Sequence, residues 1–446
     1  MSDLKIVKDF PVDFTFGVAT SSYQIEGNSL GNSGLSHWDH FSKIEGNVNN
    51  NESGRIACAH VLNYKEDIKL IAEAGFSAYR FSFSWPRIIP DGKRRINQDG
   101  ISFYDKLIDE ILENNLKTFS TLYHWDLPEY FMSIGGWKNR ETTKWFADFT
   151  DVIMRKFSDR LYSIATINEP WCVSWLSHYL GEHAPGEMSI EAGIKTMHMI
   201  LVAHAESLQV IRSHNYKNVG IVLNKQFIQP FDEKAETKLV TNLADQIHNL
   251  WFDEAIFKGN YPTQTIDLFS KYMPVNFEQD LKFISQPLDW VGINYYTRSI
   301  IKVDKEETFL GYKSVNGDLS VTDMGWEVFP EGLKNLIERL HKKYSKNIPI
   351  FITENGMANK DFVKNGKIND FERIKFYNDH LKQCKKLIEN DIPLKGYFAW
   401  SLLDNFEWAY GYSKRFGIVY VDFDNLERIP KLSWKEFKKN LTNMEN

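Results

Sequence analysis

Short apolar runs alternate along the chain with longer stretches in which apolar residues recur at helical spacing. The short runs read as strands. They are Phe14–Ala19, Ala78–Ser84, Lys117–Tyr123, Tyr162–Asn168, Asn218–Asn224, Trp290–Tyr296, Ile348–Thr353 and Lys395–Ser401. Between them lie amphipathic patterns. Trp145, Phe146, Phe149, Val152, Ile153 and Phe157 form one buried stripe, and Leu62, Ile68, Ile71 and Ala72 form another, with Gly75 as the helix stop. Alternation of strand and helix predicts a parallel sheet. Eight strands are the number that closes a (β/α)8 barrel. An open, doubly wound sheet competes, but neither GxGxxG nor GxxxxGK[ST] follows any strand, which weakens a nucleotide-binding reading.

The chain has 446 residues, within reach of one barrel with elaborated βα loops, so residues 1–446 are read as a single domain. Asn28–Gly54 is polar and rich in Gly and Asn, and reads as a long loop. Ile300–Gly325 carries two turn signals between β-branched runs and reads as a hairpin inserted after the sixth strand. Apolar residues make up 43% and charged residues 25%, an ordinary globular composition. The net charge of −6 argues against nucleic acid or an anionic membrane as a partner. Cys58, Cys172 and Cys384 are odd in number and far apart, so free buried thiols are expected, with no disulfide framework and no metal site. The N-terminal stretch lacks the apolar core of a signal peptide, and no apolar run approaches the ~18 residues of a membrane span. A cytoplasmic protein is expected. Aromatic residues reach 14%; most are expected in a large aromatic core, and a minority are candidate platforms for a flat ligand.

Barrel enzymes draw their reacting groups from the C-terminal ends of several strands. Here those ends carry Gln24, Arg80, His124 and Trp125, Asn168 and Glu169, Asn294 and Tyr296, Glu354, and Trp400 followed by Glu407 and Trp408. In the second strand Tyr79, Phe81 and Phe83 share one face and Arg80, Ser82 and Ser84 the other. If the aromatics pack on helices, Arg80 points into the barrel and needs an anion, as a structural ion pair or a functional one. Glu354 ends the apolar run Ile348–Thr353 before Asn355-Gly356, and has two readings. It punctuates a hairpin turn, or it is a carboxylate held at a barrel mouth. Only a closed barrel brings Glu169 and Glu354 together, and two carboxylates flanking one bond are what glycoside hydrolysis needs. His124 is either a core histidine or a ligand contact. His198 and His204 have poor spacing for a shared metal, and neither HExxH nor GxSxG is present.

Taken together, FGVATSSYQIEG, YHWDLP, TINEP, GINYYT, ITENG and WSLLDNFEWAYGYSKRFG resemble glycoside hydrolase family 1, the β-glucosidase family, over essentially the whole chain. The resemblance implies a (β/α)8 TIM barrel that hydrolyses β-glycosides with retention and needs no cofactor. It implies Glu169 as general acid/base and Glu354 as nucleophile, with Arg80 and Tyr296 holding the nucleophile. It further implies Gln24, His124, Asn168, Glu407 and Trp408 as sugar ligands, Trp400 as the stacking floor and Trp326 as the leaving-group platform. Asn294, Trp125, His183, Trp171, Cys172 and Asn224 fall where the family lines its pocket. The expected substrate is a small β-glycoside or oligosaccharide with a terminal glucosyl residue, and galactosyl or fucosyl residues are further options. Retention calls for carboxyl groups about 5–5.5 Å apart. A 6-phospho-β-glycosidase is the near alternative; that branch carries Ser at Glu407 and Tyr at Phe416, beside a lysine matching Lys414. A non-catalytic sugar-binding barrel is the distant alternative.

Overall fold

The computed structural model describes residues 3–307 and 309–442. Its main sheet holds β1 (Thr15–Ala19), β2 (Ala78–Ser82), β3 (Lys117–Tyr123), β4 (Ser163–Asn168), β5 (Val219–Pro230), β6 (Trp290–Val303), β7 (Tyr312–Val315), β8 (Ile350–Asn355) and β9 (Leu394–Trp400). Neighbours run β5-β4-β3-β2-β1-β9-β8-β6, and β5 also pairs with β6, which closes the ring. Every pairing around the ring is parallel. This is a (β/α)8 barrel, and the open sheet is excluded. A small antiparallel pair, β10 (Val419–Val421) and β11 (Arg428–Pro430), stands apart from it.

Two apolar layers hold the barrel. The outer one lies between strands and helices and includes Tyr79 and Phe81 from β2 and Phe83 just past it, with Phe146, Phe149, Ile153 and Phe157 from the helix Arg140–Phe157. The inner one fills the lumen with Phe119, Trp290, Phe351 and Phe398. Phe119 meets Phe398 edge-on at 4.9 Å and Phe351 at 5.5 Å. Room for these rings comes from glycines in the strands: a Cβ on Gly17 would collide with Phe398. The lumen is therefore a packed plug at its N-terminal end, and open space remains at the other end. Among the described residues no helix is long and apolar enough to cross a membrane. All three cysteines are free and buried.

The structure corrects the sequence reading at several points. Strands β5 and β6 run well beyond Asn224 and Tyr296, because their extensions pair with each other past a bulge, from Phe227↔Arg298 to Pro230↔Ile301. The inserted hairpin exists, but its first arm is the end of β6 itself, paired antiparallel with β7. Asn28–Gly54 is more than a loop. It contains the short helix His37–Phe41, started by Ser36 N–H donating to Asp39 Oδ2 at 2.8 Å and anchored by buried Trp38 and Phe41. Leu62 is 70% exposed. It sits about a third of a turn from Ile68 and about half a turn from Ile71, off the stripe that buries them. Gly75, at φ +80°, does end that helix.

Candidate active site

The hairpin reading of Glu354 fails, since β8 pairs parallel with both neighbours and Glu354 lies within the strand. Asn355 and Gly356 have other work. The Asn355 amide donates to Tyr295 O at 2.6 Å and accepts from Tyr397 Oη at 2.5 Å, and a Cβ on Gly356 would strike Trp400 O. Glu354 faces the lumen at the open end, next to Asn294 on β6. Glu169 arrives differently. Beyond a register shift its N–H donates to Val222 O at 2.9 Å, its φ is +54°, and its carbonyl accepts from Val173 N. The chain turns there from strand into helix and aims the carboxyl inward. Trp125 (φ +79°) and Trp408 (φ +51°) share this left-handed backbone, which is unusual away from glycine. Such positions cluster where function over-determines the geometry.

Both carboxyls line one cavity of about 330 Å³. It is walled by His124, Trp125, Asn294, Tyr296, Trp400, Glu407 and Trp408, and also by Trp171, Cys172, His183, Asn224 and Trp326. Gln24, Arg80 and Asn168 are fully buried and do not line it. They stand behind it, bonded to residues that do.

Those bonds fix the polarity of the site step by step. Arg80 can only donate. Its Nη1 donates to Glu354 Oε1 at 2.6 Å and its Nη2 to Asn168 Oδ1 at 2.7 Å. Asn168 therefore presents its amide nitrogen to His124, donating to Nε2 at 3.1 Å. The His124 proton must then lie on Nδ1, a buried nitrogen with no protein partner. Asn294, 3.1 Å from that same Asn168 oxygen, must turn its own nitrogen there, and this nitrogen also donates to Glu169 Oε1 at 2.6 Å. Thr353 Oγ1 donates to the Asn294 oxygen at 2.7 Å and locks the amide.

Glu354 thus accepts from Arg80 on one oxygen and from Tyr296 Oη, at 2.7 Å, on the other. Burial pushes its carboxyl up, and Arg80, Tyr296 and Asn294 pull against that. Glu169 has no cation of its own. Burial raises its pKa, and the charge on Glu354 raises it further. Glu407 is pushed up to about 8, by burial first and then by Glu354. Three carboxyls thus face one guanidinium, and that guanidinium sits on Glu354. Glu354 ionises first, and Glu169 keeps its proton near neutral pH. His124 is held neutral by burial and by Arg80.

Aromatic rings complete the wall around His124. His124 lies nearly parallel to Trp400 at 5.8 Å and to Trp408 at 6.3 Å. Trp125 packs on Trp408 at 4.7 Å, and its indole N–H donates to Asn168 O at 2.9 Å. Gln24 donates to Glu407 Oε2 at 3.2 Å and accepts from Ser21. Trp326 is 5.6 Å from Tyr296. Every residue singled out from sequence is therefore in the cavity or bonded to it.

Several lining residues escaped the sequence reading. Lys225 and Gln226 lie just past Asn224, and the longer β5 would have flagged them. Lys225 is spent on Asp253 at 2.6 Å. His248, whose ring is 4.3 Å from Trp171, comes from a helix and left no signal. Thr353, which does not line the cavity but locks Asn294, stood in plain view beside Glu354.

The sequence model described as "Glycosyl hydrolase family 1" matches residues 6–445. The chain is 44% identical to Beta-glucosidase A of Thermotoga maritima over 95% of its own length and 96% of that protein's. It is 43% identical to a 1,4-beta-D-glucan glucohydrolase of Thermotoga neapolitana, covering 95% of this chain and 96% of that one. Among solved structures, a family 1 β-glucosidase from Thermotoga maritima in complex with isofagomine lactam superposes with a TM-score of 0.94 at 42% identity, covering 98% of this chain and 99% of that one.

Proposed function

This chain belongs to glycosyl hydrolase family 1, and from that premise we propose that it is a retaining β-glucosidase acting on terminal, non-reducing β-glucosyl residues of small glucosides and short oligosaccharides. The reading rests above all on one observation: two buried glutamates, one just past β4 and one on β8, face one cavity, and among the described residues the only guanidinium bonded to either belongs to Glu354.

Glu354, ionised, attacks the anomeric carbon while Glu169 protonates the departing oxygen. Arg80 and Tyr296 hold the nucleophile in line, and their donors hold less charge as it becomes an ester. Capture of Glu354 removes the negative charge beside Glu169. The carboxyl then becomes more acidic and, ionised, draws a proton from water, which attacks the same carbon from the leaving-group side. A carboxyl separation of about 5–5.5 Å belongs to this mechanism. A pyranose has apolar C–H faces and a hydroxyl rim. Trp400 and Trp408 cover the first; Glu407, held from behind by Gln24, and the free Nδ1–H of His124 address the second. Asn168 stands behind the acid and orients His124 and Asn294 toward the sugar. Trp171, His183, Asn224 and Trp326 receive the leaving group.

The 6-phospho reading is disfavoured. Lys414 donates to Asp323 O at 2.6 Å and pairs with Asp323 Oδ2 at 3.2 Å, while Phe416 offers a phosphate no donor and Glu407, when ionised, repels it. The chain is proposed to be one catalytic domain, residues 1–446. Its free thiols support a reducing, cytoplasmic setting.

NMR of the first-formed sugar tests the reading. An aryl β-glucoside is expected to give the β-anomer before mutarotation, with the matching 6-phosphoglucoside turned over far more slowly. An initial α-anomer overturns retention, and no turnover alongside measurable glucose binding favours the sugar-binding barrel.

A further inference from the structure

Glu169 has two polar contacts, one on each oxygen. Asn294 Nδ2 donates to Oε1 at 2.6 Å, and Cys172 Sγ lies 3.0 Å from Oε2. The Asn294 nitrogen can only donate, and a carbonyl oxygen accepts better than a carboxyl hydroxyl, so Oε1 is the poorer carrier of the acid proton. The proton belongs to Oε2, the oxygen that faces the thiol. Cys172 is there for a local reason. Glu169 O accepts the first helical bond, from Val173, and residue 172 comes round beside the carboxyl on that same turn.

We propose that Cys172 is a positioning residue for the acid/base carboxyl, holding Oε2 through both halves of the reaction. The inference rests on Glu169 being that acid/base. With Glu169 protonated, Sγ accepts from Oε2–H. During glycosylation the Oε2–H bond breaks, the proton passes to the leaving oxygen, and the C–O electron pair leaves with that oxygen. The thiol then turns and donates S–H to the ionised carboxylate until water returns a proton. Sulfur is both a weak acceptor and a weak donor. It therefore releases the proton easily and still steadies the anion. Burial and the nearby Glu169 keep the thiol protonated throughout.

The charged and titratable groups facing Glu169 are Glu354 on β8, Arg80 on β2, Tyr296 on β6 and Glu407 beyond β9; Glu182 acts on the thiol. A change at residue 172 leaves all of these in place. Removing S–H withdraws a donor from the ionised form only partly offset by the acceptor lost to the protonated form, so the Glu169 pKa rises. A hydroxyl donates more strongly and lowers it.

The alkaline limb of kcat/KM, measured with a glucoside of poor leaving group, is expected to move up by about 0.5–1 pH unit in Cys172→Val and down in Cys172→Ser. In wild type, the infrared S–H band shifts across that limb with the same midpoint, and Glu169→Gln abolishes the shift. Variants that melt like wild type and keep its alkaline limb overturn the proposal. So does an S–H band that stays fixed through the wild-type limb, a measurement that decides even if neither variant folds. Absence of any wild-type turnover would instead count against the acid/base reading itself.

Discussion

Glu354→Ala removes turnover of aryl β-glucosides almost completely, with kcat expected to fall by on the order of 10⁴–10⁶. The carboxylate forms the covalent bond, and no neighbour can replace it. Arg80 then loses its anion inside the barrel, which destabilises the fold by about 3–5 kcal/mol. It keeps Asn168 Oδ1 and the carbonyl of Thr353 as acceptors, so the variant is expected to fold with a lowered Tm. The vacated space beside Arg80 admits a small anion. Added azide is expected to restore reaction and to give an α-glycosyl azide, because attack from that side without a second displacement inverts the anomeric carbon. A folded variant with near wild-type kcat would contradict the assignment.

Glu169→Gln separates the two halves of the reaction. The amide keeps the shape of the acid and its contact with Asn294, but it cannot give up a proton. For a poor leaving group kcat/KM is expected to drop by about 10²–10⁴. A dinitrophenyl glucoside leaves without help, so its glycosylation is largely spared. Deglycosylation, lacking a base, becomes slow, and a burst of dinitrophenol precedes a low steady rate. The pH profile changes in step. In wild type, activity falls on the acid side as Glu354 takes up a proton and on the alkaline side as Glu169 loses one. Burial and the Glu354 charge put that second limb above the ordinary glutamate range. In the variant the alkaline limb disappears. Equal losses for both leaving groups, or an unchanged alkaline limb, would show that Glu169 is not the acid.

The sequence made the barrel legible because its strands sit inside a ring of helices and so show as continuous apolar runs. Their ends were legible too, since polar side chains such as Asn168, Glu169 and Asn294 break those runs abruptly. Burial of Arg80 followed from alternation in β2 once the aromatic face was assigned to the helices. Other features depend on partners far away in the chain. The tails of β5 and β6 look like loops until they are laid side by side. The left-handed turns at Trp125, Glu169 and Trp408 have no glycine to announce them. Leu62 fitted a loosely drawn stripe, and only the true helical phase put it in solvent. Donor and acceptor assignments at His124 and Asn294 come from a relay that begins at Arg80, which no single motif contains. The contact between Cys172 and Glu169 belongs to the same class: three residues apart in sequence, it becomes visible only once a helix is known to start between them.

The central claim is that the carboxylate at the end of β8 becomes covalently bonded to the sugar while the one after β4 supplies the proton. An activated deoxyfluoro glucoside tests it directly, because the fluorine slows the second displacement and lets the first product accumulate. Mass spectrometry of the trapped, digested protein is expected to find one glucosyl adduct, on Glu354, in the peptide that contains Ile352 and Thr353. An adduct on Glu169 or Glu407, or inactivation with no covalent adduct at all, would contradict the account.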